Sequence, residues 1–214
     1  LDFWQQPEHN ALPETAAVEL LRIQVAMYRP GLVIGATQAM STACHGVYLP
    51  HHARPGLTPV PVRPQVTTVA YEGVRKYLGR WAAAVQRACD VRGWQFVINP
   101  PDLGQADLVV AFRDGQWDGW MCREWKSGVK IVNAIAAGRP IITQPCAAMR
   151  ELHPGGSAIE HPEHLDAAFD LWADWRARVG VMQDSIERWP ALSLASIAAD
   201  YQRLLRPVLR QAVA

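Results

Sequence analysis

Lysine is scarce in this chain. Only Lys76, Lys126 and Lys130 occur, and arginine supplies the rest of the 21 basic side chains. Against 20 acidic residues the formal net charge is only +1, which gives no bulk attraction to nucleic acid or to an anionic membrane and leaves room only for a local basic patch. The four cysteines (Cys44, Cys89, Cys122 and Cys146) are widely spread and form no CxxC pair, which argues against a structural zinc site. They are too few to staple a chain of 214 residues, so reduced thiols in a cytoplasmic protein are expected. No apolar run reaches the ~18 residues of a membrane span, and no signal peptide is visible. Peripheral membrane contact stays open. The motif absences are equally selective. There is no GxxxxGK followed by Ser or Thr for a P-loop, no GxGxxG after a strand for a dinucleotide, no HExxH, no GxSxG and no Asp-x-Asp metal-chelating pair. Metal ligands are therefore not expected.

What is present is alternation of strand and helix patterns. Leu1 to Trp4 read as the end of a strand, Pro13-Glu14-Thr15 opens a helix to Tyr28, and residues 32–40 and 46–50 carry short strands. HHARPGLTPVPVRP (51–64), with four prolines, suits an extended linker and marks a boundary between residues 1–60 and 61–214. Beyond it, strands are expected at 66–73, 94–100, 107–112, 140–145 and 157–161. Helices are expected at 74–92, 127–137, 147–152, 164–179 and 192–212, with a Trp-rich loop over 113–125. Such alternation implies α/β architecture, a Rossmann-like parallel sheet with flanking helices, preceded by part of a second α/β domain. Ligands of such sheets lie beyond the carboxyl ends of the strands.

That edge is where the informative residues fall. Lys126, Lys130 and Asn133 are spaced for one face of a helix, opposite an apolar stripe of Val129, Val132 and Ala136. Two compact cations at a helix N-terminus make an anion site suited to a diphosphate, with Ser127 alongside. A solvated helix face is the plain alternative. Tyr71, Glu72 and Gly73 close the first strand after the linker, where Gly73 permits a tight turn beside a ligand. Arg75 and Lys76 follow, within reach of a phosphate or simply exposed. Arg113 ends the strand DLVVAF and could clamp a phosphate, or pair with Asp114 or Asp118. Trp117, Trp120 and Trp125 could stack on a base or sugar, with packing the plainer role for at least two of them. His51 and His52 open the linker at the mouth of a two-lobed cleft, where histidine could act as base or hold an acceptor. Glu124 and Glu151 could accept bonds from ligand hydroxyls, or cap helices.

On these residues the chain resembles glycosyltransferases of the two-Rossmann-domain GT-B architecture, in the large group called glycosyl transferases group 1. Lys126, Lys130, Ala134, Gly138 and Pro140 resemble that group's donor-site run, VYLPHHARPG its interdomain strand and linker, VTTVAYEG its first donor-domain strand and glycine turn, AAMREL with Glu151 the segment nearing the nucleotide sugar, and LASIAADYQRLL its closing helix. The resemblance implies transfer of a sugar from a nucleotide diphosphate sugar, used as substrate with no cofactor, to a glycan, a lipid-linked acceptor or another acceptor. It implies Lys126 and Lys130 as catalytic cations, Tyr71, Glu72, Gly73, Arg113, Ser127, Asn133 and Glu151 as donor-binding, and His51 and His52 on the acceptor side. It covers residues 46–212 as architecture and is specific only over about 107–152. Where the group places a ribose-binding glutamate, this chain has Asn133, which can bond a hydroxyl without charge. Residues 1–55 supply only the last portion of an acceptor domain, so a fragment of a longer enzyme, or loss of that lobe, is expected. A non-catalytic nucleotide-sugar binder or scaffold and a sugar-nucleotide epimerase of the same architecture are the alternatives.

Overall fold

The computed structural model describes residues 11–152 and 154–213. The strand end expected at Leu1 to Trp4 lies outside them. The chain forms helix α1 (Glu14–Tyr28), strand β1 (Ile34–Gly35), helix α2 (Gln38–Ala43) and strand β2 (Val47–Tyr48), which pairs in parallel with β1. After the proline-rich stretch come β3 (Thr68–Tyr71), a 3-10 turn (Arg75–Leu78), α3 (Arg80–Arg92), β4 (Gln95–Ile98) and β5 (Leu108–Ala111). Then follow α4 (Trp120–Glu124), α5 (Val129–Ala137), β6 (Ile141–Thr143), α6 (Ala147–Leu152) and β7 (Gly156–Ala158). Three helices close the chain: α7 (Leu165–Ala173), α8 (Trp175–Arg188) and α9 (Leu194–Val213).

Strands β3 to β7 make one parallel sheet in the order β4-β3-β5-β6-β7. Both faces are covered, as the near-continuous apolar strands demand. Alternate residues divide between them. Val69, Tyr71, Leu108, Val110 and Ile142 pack with Trp81 and Val85 of α3 and Phe169 of α7. Ala70, Val109 and Ile141 pack with Ile131, Val132 and Ile135 of α5 and Leu152 of α6. The chain leaves β3 for β4 on one side and returns to β5 on the other. The carboxyl ends of β3 and β5 therefore flank a topological switch point, where a crevice must open.

Several boundaries differ from the sequence expectation. The helix expected over 74–92 is broken at Gly79, which sits at φ +49, and any Cβ there would collide with the Asp114 carboxylate at 2.4 Å. Asp114 reaches over to accept the Arg80 amide at 2.8 Å, so a residue 34 positions away starts α3. The helix expected over 164–179 is two. Asp174 is extended and its side chain accepts the Arg176 amide at 2.8 Å, capping α8 as α7 ends. The loop over 113–125 contains α4. Helix α5 starts at Val129, so Lys126 and Ser127 lie in the turn ahead of it rather than on its face.

The proline-rich stretch is extended, as expected, and it is sewn down along its length. Proline has no N–H, so such a segment presents carbonyls with few matching donors. Buried arginines supply the donors. Arg139 gives bonds to the carbonyls of Val60, Pro61 and Gly104 at 3.2, 3.2 and 2.7 Å. Arg178, 1% exposed, bonds those of Arg63 and Pro64 at 3.0 and 2.9 Å. Ala53 and Leu57 are buried against the α5 face of the sheet. The amino-terminal elements dock on α4 through Ala17, Leu21, Ala43, Met121 and Trp125, which share one apolar cluster. The Thr37 hydroxyl donates to the Glu124 carbonyl at 2.7 Å, and the Gln38 amide donates to Glu151 at 2.8 Å.

Candidate functional site

Three cations gather where β3 and β5 diverge. Lys130, the second residue of α5, lies 3.4 Å from the Tyr71 hydroxyl, with its ammonium 4.7 Å from the centre of the Tyr71 ring. Arg113 follows β5, and Lys126 stands in the turn before α5. All three line one narrow cavity of about 40 Å³, together with Ser127 and Gln144. Burial, then the charges of Arg113 and Lys126, pushes the Lys130 ammonium down to about 7 from its ordinary 10.5. Lys126 is shifted down as well, by burial first and Arg113 second. No ion pair among the described residues includes Arg113, Lys126 or Lys130. Glu72, the acid that most attracts Lys130, is engaged with Arg54 at 3.0 Å. Asp118 also lines the cavity but is paired with Arg123 at 2.8 Å, so the three cations hold no ion pair of their own and the cluster favours an anion.

The walls are fixed by residues that the sequence did not single out. Gln144, 4% exposed at the end of β6, accepts the Arg113 amide and donates to the Arg113 carbonyl, both at 2.8 Å. It also donates to Asp118 at 2.8 Å, and Asp118 holds Arg123 through two bonds of 2.9 and 2.8 Å. Asn99, itself at φ +52, grips the Gly73 peptide from both sides: it accepts the Gly73 amide at 2.6 Å and donates to its carbonyl at 3.0 Å. Gly73 sits at φ +138. The sequence pattern placed Asn99 and Gln144 within the expected strands 94–100 and 140–145, which in the structure end one residue before each of them, at Ile98 and Thr143.

Lys126 and Ser127 also face a larger cleft of about 810 Å³, bounded by Ala36, Met40 and His51 on one side and by Lys76, Tyr77 and Trp117 on the other. His51 is exposed there. Its Nδ1 lies 2.7 Å from the His52 carbonyl, which can only accept, so Nδ1 carries the proton and Nε2 of the neutral ring is left as the acceptor. His52 bonds the Ala53 carbonyl at 2.8 Å in the same manner and lines a side pocket with Ile197 and Tyr201 of α9. Of the three tryptophans, Trp125 is 1% exposed and meets Trp120 edge-on in the inter-lobe cluster, while Trp117 stands at the cleft against Tyr77 with ring centres 4.5 Å apart.

Not every candidate reaches these cavities. Asn133 is 6% exposed and spends one end of its amide on the linker and the other on the residue that follows β3: Oδ1 accepts the Arg54 amide and Nδ2 donates to Glu72, each at 2.8 Å. The expected Lys126/Lys130/Asn133 stripe therefore divides, with two cations facing the cavity and the amide facing the linker. Glu72 and Asn133 serve the same lock. Glu151 accepts the Gln38 amide and lies against Tyr48, whose hydroxyl pKa is pushed up to about 12 by burial and by that carboxylate, so it ties the lobes together. Gly73 shapes the turn beneath Lys130, and a Cβ there would meet Tyr71 Oη at 3.0 Å and Lys130 Cε at 3.3 Å. No three His, Cys, Asp or Glu side chains among the described residues converge as a metal-binding set. Among the same residues no helix is long and apolar enough to cross a membrane.

No family model matches the chain, and no curated protein sequence matches it. Solved structures do match. HepE of Anabaena, solved in complex with UDP and glucose, is 14% identical with a TM-score of 0.63, over 92% of this chain and 68% of its own. The GtfA/B complex gives 15% identity and 0.57 over 86% of this chain and 46% of its own. AviGT4, a glycosyltransferase involved in avilamycin A biosynthesis, gives 15% and 0.51 over 83% and 63%. The chain thus has the Rossmann-like fold of GT-B glycosyltransferases. It spans roughly half to two thirds of the length of these structures.

Proposed function

We propose that this chain binds a nucleotide diphosphate sugar and takes part in transfer of its sugar to an acceptor. The observation that carries this reading is the cluster of Arg113, Lys126 and Lys130 at the switch point, none of them held in an ion pair among the described residues. Departure of a diphosphate is the costly event in such a transfer, and positive groups placed in advance around the leaving group lower that barrier. Lys130 and Lys126 take that role, Arg113 steadies the phosphate, and Ser127 at the mouth offers a hydroxyl. Side chains supply the positive charge, so the reaction proposed needs no metal. His51, with Nε2 free to accept, is placed to draw the proton from an acceptor hydroxyl across the cleft. Calorimetry with a panel of nucleotide sugars and free nucleotides tests binding, and a hydrolysis and transfer assay on the same panel tests chemistry. Lys130→Ala is expected to lower turnover ~100-fold. An unchanged rate would remove Lys130 from the mechanism.

A second reading, a binder or scaffold without chemistry, is favoured by one observation. Asn133, at the position of the group's ribose-binding glutamate, is committed to the linker. Tight nucleotide-sugar binding with no transfer or hydrolysis would select it.

A further inference from the structure

All three lysines of an otherwise arginine-based chain stand around two cavities that share Lys126 and Ser127 in their walls: Lys126 and Lys130 at the narrow one, Lys126 and Lys76 at the cleft. The diphosphate reading uses two of them and leaves Lys76 over. Lys76 is exposed on the 3-10 turn after β3, its ammonium 5.5 Å from the Tyr77 ring, and Tyr77 in turn meets Trp117. The loop that carries Trp117 is held in place, since the Asp114 amide donates to the Tyr77 carbonyl at 3.0 Å and its carboxylate pairs with Arg80. Among the described residues no acidic side chain lines this cleft. Its floor is aromatic and its charges are cationic.

We propose that Lys76, Tyr77 and Trp117 form an acceptor subsite for an anionic saccharide, whose ring lies against Trp117 and whose carboxylate or phosphate is held by Lys76. The aromatic pair offers a sugar its apolar face. A compact ammonium at the rim accepts a carboxylate or a phosphate without demanding bidentate geometry. The term acceptor rests on the transferase reading; the binding itself does not. An exposed lysine–anion pair is worth about a fivefold preference, diminished by salt.

The test is saturation-transfer NMR and calorimetry with phenyl glucoside, phenyl glucuronide and phenyl glucoside 6-phosphate, using the whole chain, Lys76→Gln, Trp117→Ala and Lys130→Ala. The expected result is about fivefold tighter binding of the anionic glycosides than of the neutral one. Lys76→Gln removes that preference, and Trp117→Ala weakens all three glycosides. Whether the glucuronide or the phosphate binds more tightly identifies the anion. UDP titrated into the same variants separates the two ideas, because Lys130→Ala weakens UDP if the diphosphate reading holds, whatever the glycosides do. Equal binding of neutral and anionic glycosides, no binding of any, or loss of UDP but not of glycosides in Trp117→Ala would overturn the subsite.

Discussion

Binding of a nucleotide sugar should take up a proton, because the site holds Lys130 partly neutral until an anion arrives. A fall from 10.5 to about 7 represents roughly 5 kcal/mol of disfavoured charge, from burial and from Arg113 and Lys126 together. A diphosphate resting between these cations reverses the last two causes and offsets the first, raising the lysine well above neutrality. The sign follows by linkage. Below pH 7 Lys130 is charged in both free and bound states, and affinity is flat. Above it the free protein has lost a proton that the complex keeps, so affinity falls, by at most about tenfold per pH unit. The diphosphate of a nucleotide sugar does not itself titrate near neutrality. The thiols of Cys122 and Cys146, pushed up by burial, stay neutral over this range. Lys126, lowered in the same sense, steepens the slope at higher pH. Between about pH 7 and 8.5 the affinity should drop about 10- to 30-fold. Calorimetry in two buffers of different ionisation enthalpy measures the proton count directly, with approximately one proton gained per nucleotide sugar at about pH 8. In Lys130→Met the steep part of the profile should vanish. Affinity independent of pH over this range, with no proton uptake, would show that Lys130 does not face the bound diphosphate.

Three further outcomes follow from the same geometry. In the free protein the depressed lysine costs stability at neutral pH, and that cost fades as pH rises from about 7 toward 10.5; Lys130→Met should therefore raise the midpoint of thermal unfolding while weakening nucleotide binding. Asn133→Glu should destabilise the fold by about 1–3 kcal/mol in denaturant melts, because a second carboxylate would face Glu72 and the amide donor would be lost. Gly73→Ala should cost about 1–3 kcal/mol and weaken donor binding together, since φ +138 suits glycine and the added methyl presses on Tyr71 and Lys130.

The parallel sheet was legible because its strands carry apolar runs separated by helix-length spacing, and burial of both faces leaves that pattern no other solution. The gathering of Lys126, Lys130 and Arg113 was legible too, since Arg113 follows a strand and Lys126 and Lys130 flank the start of a helix on the ligand edge. What sequence concealed were contacts made across long intervals. Nothing local tells that Asp114 will start α3 or that Asn99 will hold Gly73, because the partners are 34 and 26 residues apart. The break at Asp174 was in principle readable as a helix cap, but Leu165, Phe169 and Trp172 on one side and Trp175 on the other keep a helical rhythm across it. The role of Asn133 was misplaced for a related reason. Spacing on a helix assigns a face, but the linker approaches α5 from the same side as the ligand edge, and two neighbouring positions can serve different partners.

That division explains the asparagine. At this position a glutamate would set two carboxylates, its own and that of Glu72, within one hydrogen-bonded group that contains a single guanidinium, Arg54. Asparagine satisfies all the demands at once, accepting from the Arg54 backbone and donating to Glu72, while Glu72 keeps its pair with Arg54. The exchange frees Lys130 from a nearby acid as well. With Asn133 neutral and Glu72 held by Arg54, the positive field at the switch point is stronger than it would be with a glutamate one turn along α5. A neutral Asn133 thus leaves the positive field at Arg113, Lys126 and Lys130 stronger than a glutamate would, and its bond to the Arg54 amide fixes the linker to α5. Arg139 and Arg178, which hold the carbonyls of Val60, Pro61, Arg63 and Pro64, fasten the later part of the linker in the same way.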